Sequence, residues 1–135
     1  MIYIVYDIDI FKQQAEFIYH FLKNKYTEIK LIKLTSKTKY DNNSLYIGFF
    51  NRICRYPKHY AIYNAEDLRN KNINKNYHIQ QYIDNCTFHI DFSKNNIEYI
   101  IDCYPKHSDK LFYIPFGYTD AYDINTKTET LRQKR

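Results

Sequence analysis

Glycine is nearly missing from this chain: Gly48 and Gly117 are the only two in 135 residues. No G-x-G-x-x-G fingerprint and no Walker loop can be written from them, so neither kind of glycine-rich phosphate cradle is available. The H-E-x-x-H and G-x-S-x-G signatures are also missing. The cysteines are three, Cys54, Cys86 and Cys103, widely spaced and with no C-x-x-C. That pattern builds neither a disulfide framework nor a zinc site, and reduced core thiols in a cytosolic setting are expected. No run of the sequence approaches the roughly 18 apolar residues of a membrane span. The first ten residues, MIYIVYDIDI, lack the basic start and small-residue cleavage site of a signal peptide. A soluble, cytoplasmic chain without a membrane span is the expectation.

What the chain has in quantity is tyrosine, 16 residues, within an aromatic content of 19% and an apolar fraction of 44%. That apolar fraction is globular, and the length fits one domain with a real core. Isoleucine, lysine and asparagine are also abundant, as in proteins of AT-rich genomes. The net charge is +5, but the lysines are scattered and form no stripe along any helix. Nucleic acid is therefore not an expected partner.

The apolar pattern alternates between two periods. Ile2–Asp7 is almost continuously apolar, as in a strand buried on both faces. Phe11, Ala15, Ile18 and Leu22 follow helical spacing, with Asp9 as the expected N-cap. Glu28–Leu34 alternates as a half-exposed strand does. SLYIGFF, Tyr60–Tyr63, Thr87–Phe92 and KLFYIPF read as four further strands, the last of them buried. Ile79, Tyr82, Ile83 and Cys86 fall at helical spacing, and so do Ile97, Ile100, Ile101 and Tyr104, with Ser93 as N-cap. AEDL reads as a single helical turn and PKHSD as a turn. Strands that alternate with helices, without tight hairpins, predict an α/β fold. The expected form is a Rossmann-like layered domain with a mainly parallel sheet of about six strands flanked by helices. It should span residues 1–123, with 124–135 as a charged tail or the start of an interdomain linker.

In such a sheet ligands bind outside the carboxyl ends of the strands. Asp7 and Asp9 follow the first strand, and Asn64, Glu66 and Asp67 follow the fourth. Carboxylates and an amide there can take a proton or hydrogen-bond a sugar hydroxyl. They serve equally as loop acids and helix-start residues. His89 and Asp91 share a strand face, which gives an incomplete metal pair or a hydrogen-bonded strand histidine. His107 and Asp109 fall at the opposite edge. Pro115 limits hydrogen bonding at the end of the last strand, and Gly117 lets the backbone turn there.

From Tyr60 onward three units stand in order: YAIYNAEDL, TFHIDFSKNNIEYI and KLFYIPFGYTD. A strand ending in Asn-x-Glu, a strand-Ser-helix unit, and a strand leading into Pro-x-Gly and an acid resemble the N-terminal, acceptor-side domain of GT-B-fold glycosyltransferases. Glycosyltransferase-like proteins of large DNA viruses are the nearest form of the pattern, which would place the chain in host cytoplasm or a virion. Phe116 replaces the usual Asn, and Asp120 stands one place later than the family's acid. The resemblance implies a sugar or glycan acceptor bound by Asp7, Asn64, Glu66 and Tyr118, with Glu66 and Asp7 the catalytic candidates. Tyr6, Tyr63 and Tyr118 would stack on sugar faces. A nucleotide-sugar donor is implied too, held by a donor-binding domain or protein partner, since this chain alone is expected to bind no cofactor and to be incomplete for catalysis. Gly117 would then be a hinge toward that domain. The alternative is a non-catalytic binding or structural module that uses the same fold, and a tyrosine-rich surface, for protein–protein contact.

Overall fold

The structure, a computed structural model, describes residues 1–53, 55–65, 68 and 82–115. Its six strands are β1 (Ile2–Tyr6), β2 (Ile29–Lys33), β3 (Leu45–Phe49), β4 (His59–Asn64), β5 (Phe88–Asp91) and β6 (Leu111–Tyr113). They form one sheet in the order β2-β1-β3-β4-β5-β6. Every neighbouring pair is parallel. The described helices are α1 (Lys12–Leu22), residues 82–85, and α2 (Lys94–Cys103), with 3-10 turns at Asp9–Phe11 and Pro105–Lys110. The chain is thus an α/β domain of Rossmann-like layering, as its alternating periods predict.

The near-continuous apolar run of β1 follows from its place. It lies between β2 and β3, with Ile4 flanked by Leu31 and Ile47, so its side chains are buried on both faces. Successive residues divide between two cores. Ile4, Tyr6, Ile47, Phe49, Ala61, Tyr63 and Ile90 face α1, and Ala15 is fully buried among them. Phe11 stacks flat on Phe49 with ring centroids 4.9 Å apart. Val5, Tyr46, Tyr60 and Ile62 face the other way, toward Ile83, Cys86 and Ile100.

Among the described residues that second face has few helical residues over β1 and β3, and aromatic rings cover it there. Tyr3 stacks on Tyr46 at 4.8 Å, and Tyr40 meets Tyr46 edge-on at 5.1 Å. Tyr56 stacks on Tyr60 at 4.8 Å, and Phe50 tilts against both. Tyr40 donates its hydroxyl to the Arg55 carbonyl, and the Arg55 guanidinium sits over the Tyr40 ring. The tyrosine content is therefore largely a core property. Tyr6 and Tyr63 are buried rather than set on the surface for stacking, and Tyr63 lines only a groove on the α1 side.

Gly48 occupies the middle of β3, opposite Val5. Its φ is +150°, and a Cβ there would run into the Val5 carbonyl oxygen. A strand glycine of this kind marks a close backbone approach. Three other expectations are corrected. Asp9 does not cap α1, whose N-cap is Phe11 with no side-chain bond; Asp9 instead reaches Lys33 at 2.8 Å. The PKHSD segment is a 3-10 helix rather than a simple turn. Strand β6 is an edge strand of three residues, with Phe112 and Tyr113 exposed, where the apolar run predicted a buried strand. Ser93 does cap α2, accepting from the Asn96 amide.

Two outcomes follow from this core. Gly48→Ala should cost ~3 kcal/mol or more, because strain on the β1–β3 contact has nowhere to relax; urea unfolding midpoints of the two proteins measure it. Burial pushes the Cys86 thiol from 9.0 up to about 11 and the Tyr63 phenol from 10.0 up to about 12. Groups raised on folding favour the native state while the unfolded chain still holds its protons. Their contribution is full below the unfolded values and is lost as pH climbs toward the folded ones. The melting temperature should hold steady to about pH 9 and fall progressively above it, as followed by circular dichroism.

Candidate functional site

The crevice of an open parallel sheet opens where neighbouring crossovers leave for opposite faces. Here that point lies between β1 and β3. The chain leaves β1 into α1 on one side, whereas Phe50, Ile53 and Tyr56 turn after β3 into the aromatic layer on the other. Asp7, the first residue past β1, stands in this gap. Its Oδ2 accepts the backbone N–H groups of Asn51, Arg52 and Ile53 at 2.7, 2.6 and 3.0 Å. Three successive amides converging on one oxygen form the kind of backbone nest that binds anions, and here the chain's own carboxylate fills it. The other oxygen, Oδ1, is shielded and has no hydrogen-bond partner. Such an acceptor costs about 1–3 kcal/mol when left unpaired. Nearby, the Lys33 ammonium bonded to Asp9 holds that carboxyl below its usual range, though both groups lie in solvent.

A second polar group spans β4, β5 and α2. Asp91, fully buried, ends β5. Its Oδ2 accepts from Asn64 Nδ2 at 2.9 Å and from His89 Nε2 at 2.8 Å. Its Oδ1 accepts from the Ser93 amide at 3.0 Å and from Asn96 Nδ2 at 2.9 Å. Asn96 Oδ1 in turn accepts from the Leu68 amide. Alternation on β5 places His89 and Asp91 on one face as expected, and register places Asn64 directly beside Asp91. Four donors on one carboxylate make a structural anchor. Among the described residues no group of three His, Cys, Asp or Glu could hold a metal ion. His107 and Asp84 form a further pair at 2.8 Å at the opposite edge of the sheet, joining the Pro105–Lys110 turn to residues 82–85.

Asp7 and Asn64 therefore share an edge but not a cluster. β3 separates their strands, which puts them roughly 10 Å apart at least. Glu66, Asp67, Gly117 and Tyr118 lie outside the described residues. The amides of Asn51–Ile53 were not legible in the sequence, because backbone donors carry no side-chain signature. Asn96 was within reach, since it falls three residues after a helix-capping serine.

The α1 side also carries a groove of ≈ 370 Å³. Phe17 and Phe21 of α1 form one wall, Tyr63 and Ile90 the floor, and Ile114 and Pro115 the lip. The Tyr63 hydroxyl donates to the Ile114 carbonyl beneath it. No described helix is long and apolar enough to cross a membrane.

The fold and this edge define a Rossmann-like α/β domain with a stapled switch point. Comparison with known proteins takes that description no further: no family model, no curated protein and no solved structure matches the chain.

Removing the Asp91 carboxylate strands buried donors on three elements at once. Asp91→Ala should cost ~3–5 kcal/mol, read from chemical unfolding, and should lower hydrogen-exchange protection in β4 and α2 together.

Proposed function

We propose that this chain is a binding domain that receives a hydroxyl of a sugar or glycan acceptor at the β1–β3 crevice, like the acceptor-side half of a GT-B glycosyltransferase, without completing glycosyl transfer alone. The observation that carries the reading is the state of Asp7. One oxygen is locked by three amides, so the carboxylate cannot rotate away. The other is an oriented acceptor with no donor from the protein. Oδ1 is shielded from solvent, so a neighbouring group must shift to admit a ligand; a hydroxyl group then supplies the missing donor, and the bond to a fixed carboxylate is charge-assisted. The all-parallel sheet and the Ser93-capped strand-Ser-helix unit support the same reading. Any nucleotide-sugar donor would come with a second domain or a partner. The role of Asp7 here is to orient the acceptor, with Glu66 and Tyr118 as further contacts by resemblance.

A second reading, a protein-interaction module, is favoured by one observation: Phe21, Phe112 and Ile114 are 58%, 50% and 48% exposed on one side of the sheet. Contiguous apolar exposure marks contact surfaces.

Calorimetric titration with a panel of neutral oligosaccharides separates the two. Asp7→Asn keeps an amide oxygen for the Asn51–Ile53 donors while removing the charge on the free position. Binding should weaken at least tenfold in this variant, with the melting temperature within a few degrees. Saccharide binding that ignores the substitution, or no binding by the unaltered chain, sinks the reading.

A further inference from the structure

The nest beyond β3 holds an oxyanion that the chain itself supplies. Asp7 stands 44 to 46 positions before the three amides that its Oδ2 accepts, so the contact is tertiary and not a local turn. The donors are consecutive main-chain N–H groups of the Asn51–Ile53 loop. Concavities of this kind take phosphate, sulfate or carboxylate oxygens, whatever carries them. Asn51 and Arg52 are exposed, so the nest lies at the surface, and a cationic side chain starts from its middle residue.

Its place in the sheet sharpens the point. The turn after the first strand is where open α/β sheets commonly bring a ligand's phosphate against backbone amides. Here that turn reads Asp7-Ile8-Asp9, with two carboxylates and no glycine. The nearby cations are engaged elsewhere. Lys33 pairs with Asp9 at 2.8 Å, and the Arg55 guanidinium donates to the Thr38 carbonyl and covers the Tyr40 ring. Asp7 forms no ion pair among the described residues. Its charge is met by backbone amides alone, and a second anion brought to the crevice would be repelled by it.

We infer that Asp7 plugs an oxyanion site: its carboxylate occupies the Asn51–Ile53 nest in place of a phosphate and keeps phosphate-bearing ligands out of the β1–β3 crevice. Cutting the side chain back to Cβ leaves three donors aimed at one point. An oxyanion from solution then satisfies them and restores the hold on the loop. Any acceptor held at the free oxygen is confined to neutral hydroxyl compounds, a restriction that rests on the acceptor reading proposed above. The plug itself does not rest on it.

Amide chemical shifts of the nitrogen-labelled chain, titrated with inorganic phosphate at constant ionic strength, test this. In the unaltered chain the Asn51, Arg52 and Ile53 amides should stay where they are. In Asp7→Ala the three should shift together and saturate, with phosphate bound at least tenfold more tightly than by the unaltered chain. Formate, the carboxylate just removed, should do the same. Both anions should raise the melting temperature of the variant and leave that of the unaltered chain unchanged. Asp7→Ser, whose hydroxyl stops short of the nest, should behave like Asp7→Ala. Phosphate shifts of these amides in the unaltered chain overturn the proposal, as do folded variants whose amides do not respond. Failure of both variants to fold even with phosphate or formate present overturns it too, by making the carboxylate part of the fold rather than a plug. No saccharide enters these measurements, so the plug can fail while the acceptor reading stands, and the reverse.

Discussion

An all-parallel sheet must be covered on both faces, and the described residues hold little helix with which to do it. The unusual features of the sequence answer to that constraint. Where helices lie against the sheet, as α1 does on β1 and β2, Ile4, Ile29 and Ile47 pack around Ala15 together with the rings of Tyr6, Phe49 and Tyr63. Where they do not, tyrosines take over. Tyr3, Tyr40, Tyr46, Tyr56 and Tyr60 build a ring layer in which stacked and edge-on pairs alternate. Tyrosine suits this work because each ring buries a large area while its hydroxyl still finds a backbone partner. Tyr40 donates to the Arg55 carbonyl and Tyr60 to the Tyr82 carbonyl, and the Tyr46 hydroxyl accepts from the Asp41 amide. The loops that cross this face are thereby fastened to the core they cover.

The same scarcity shapes the carboxyl edge. Folds of this kind commonly bend sharply after a strand with the help of glycine. This chain places one of its two glycines inside β3, where the backbone of β1 comes too close for a side chain. Its edge loops are held by carboxylates instead. Asp7 gathers three amides after β3, and Asp91 gathers one amide and three side-chain donors after β5. A carboxylate with several N–H donors is among the stronger uncharged-partner contacts available, and it fixes loop geometry without a special φ.

How much of this was legible depends on the range of each interaction. The six strands, the α1 and α2 periods and the Ser93 cap are local patterns, and each was readable. The fate of Asp9 was not, because Lys33 lies 24 positions away on β2 and no spacing rule links them. Asn64 was assigned to the right edge and Asp91 to the strand face it shares with His89, but the bond between Asn64 and Asp91 depends on the β4–β5 register, which sequence periodicity leaves open. The reading of β6 failed for a different reason. KLFYIPF is as apolar as a central strand, yet it sits at the sheet's margin, so hydrophobicity alone predicted burial that only neighbours could supply. Tyrosine misled in the opposite direction: its polar tip suggested a surface role, whereas its ring was needed inside.

The two carboxylates differ in one respect that bears on function. Asp91 has both oxygens satisfied and is sealed between β4, β5 and α2. A group so fully engaged stabilises a structure and has no capacity left for a ligand. Asp7 has one oxygen equally engaged and the other with no partner at all. A fold that supplied three donors to one side of a carboxylate could have supplied one to the other, and burying the acceptor without it carries an energetic cost. Rigid orientation combined with an unmet hydrogen bond is the condition under which a bound hydroxyl gains most, since no rotation of the carboxylate has to be frozen. The asymmetry between Asp7 and Asp91 is thus the reason that the proposed ligand is assigned to the β1–β3 crevice rather than to the more polar cluster beside β5.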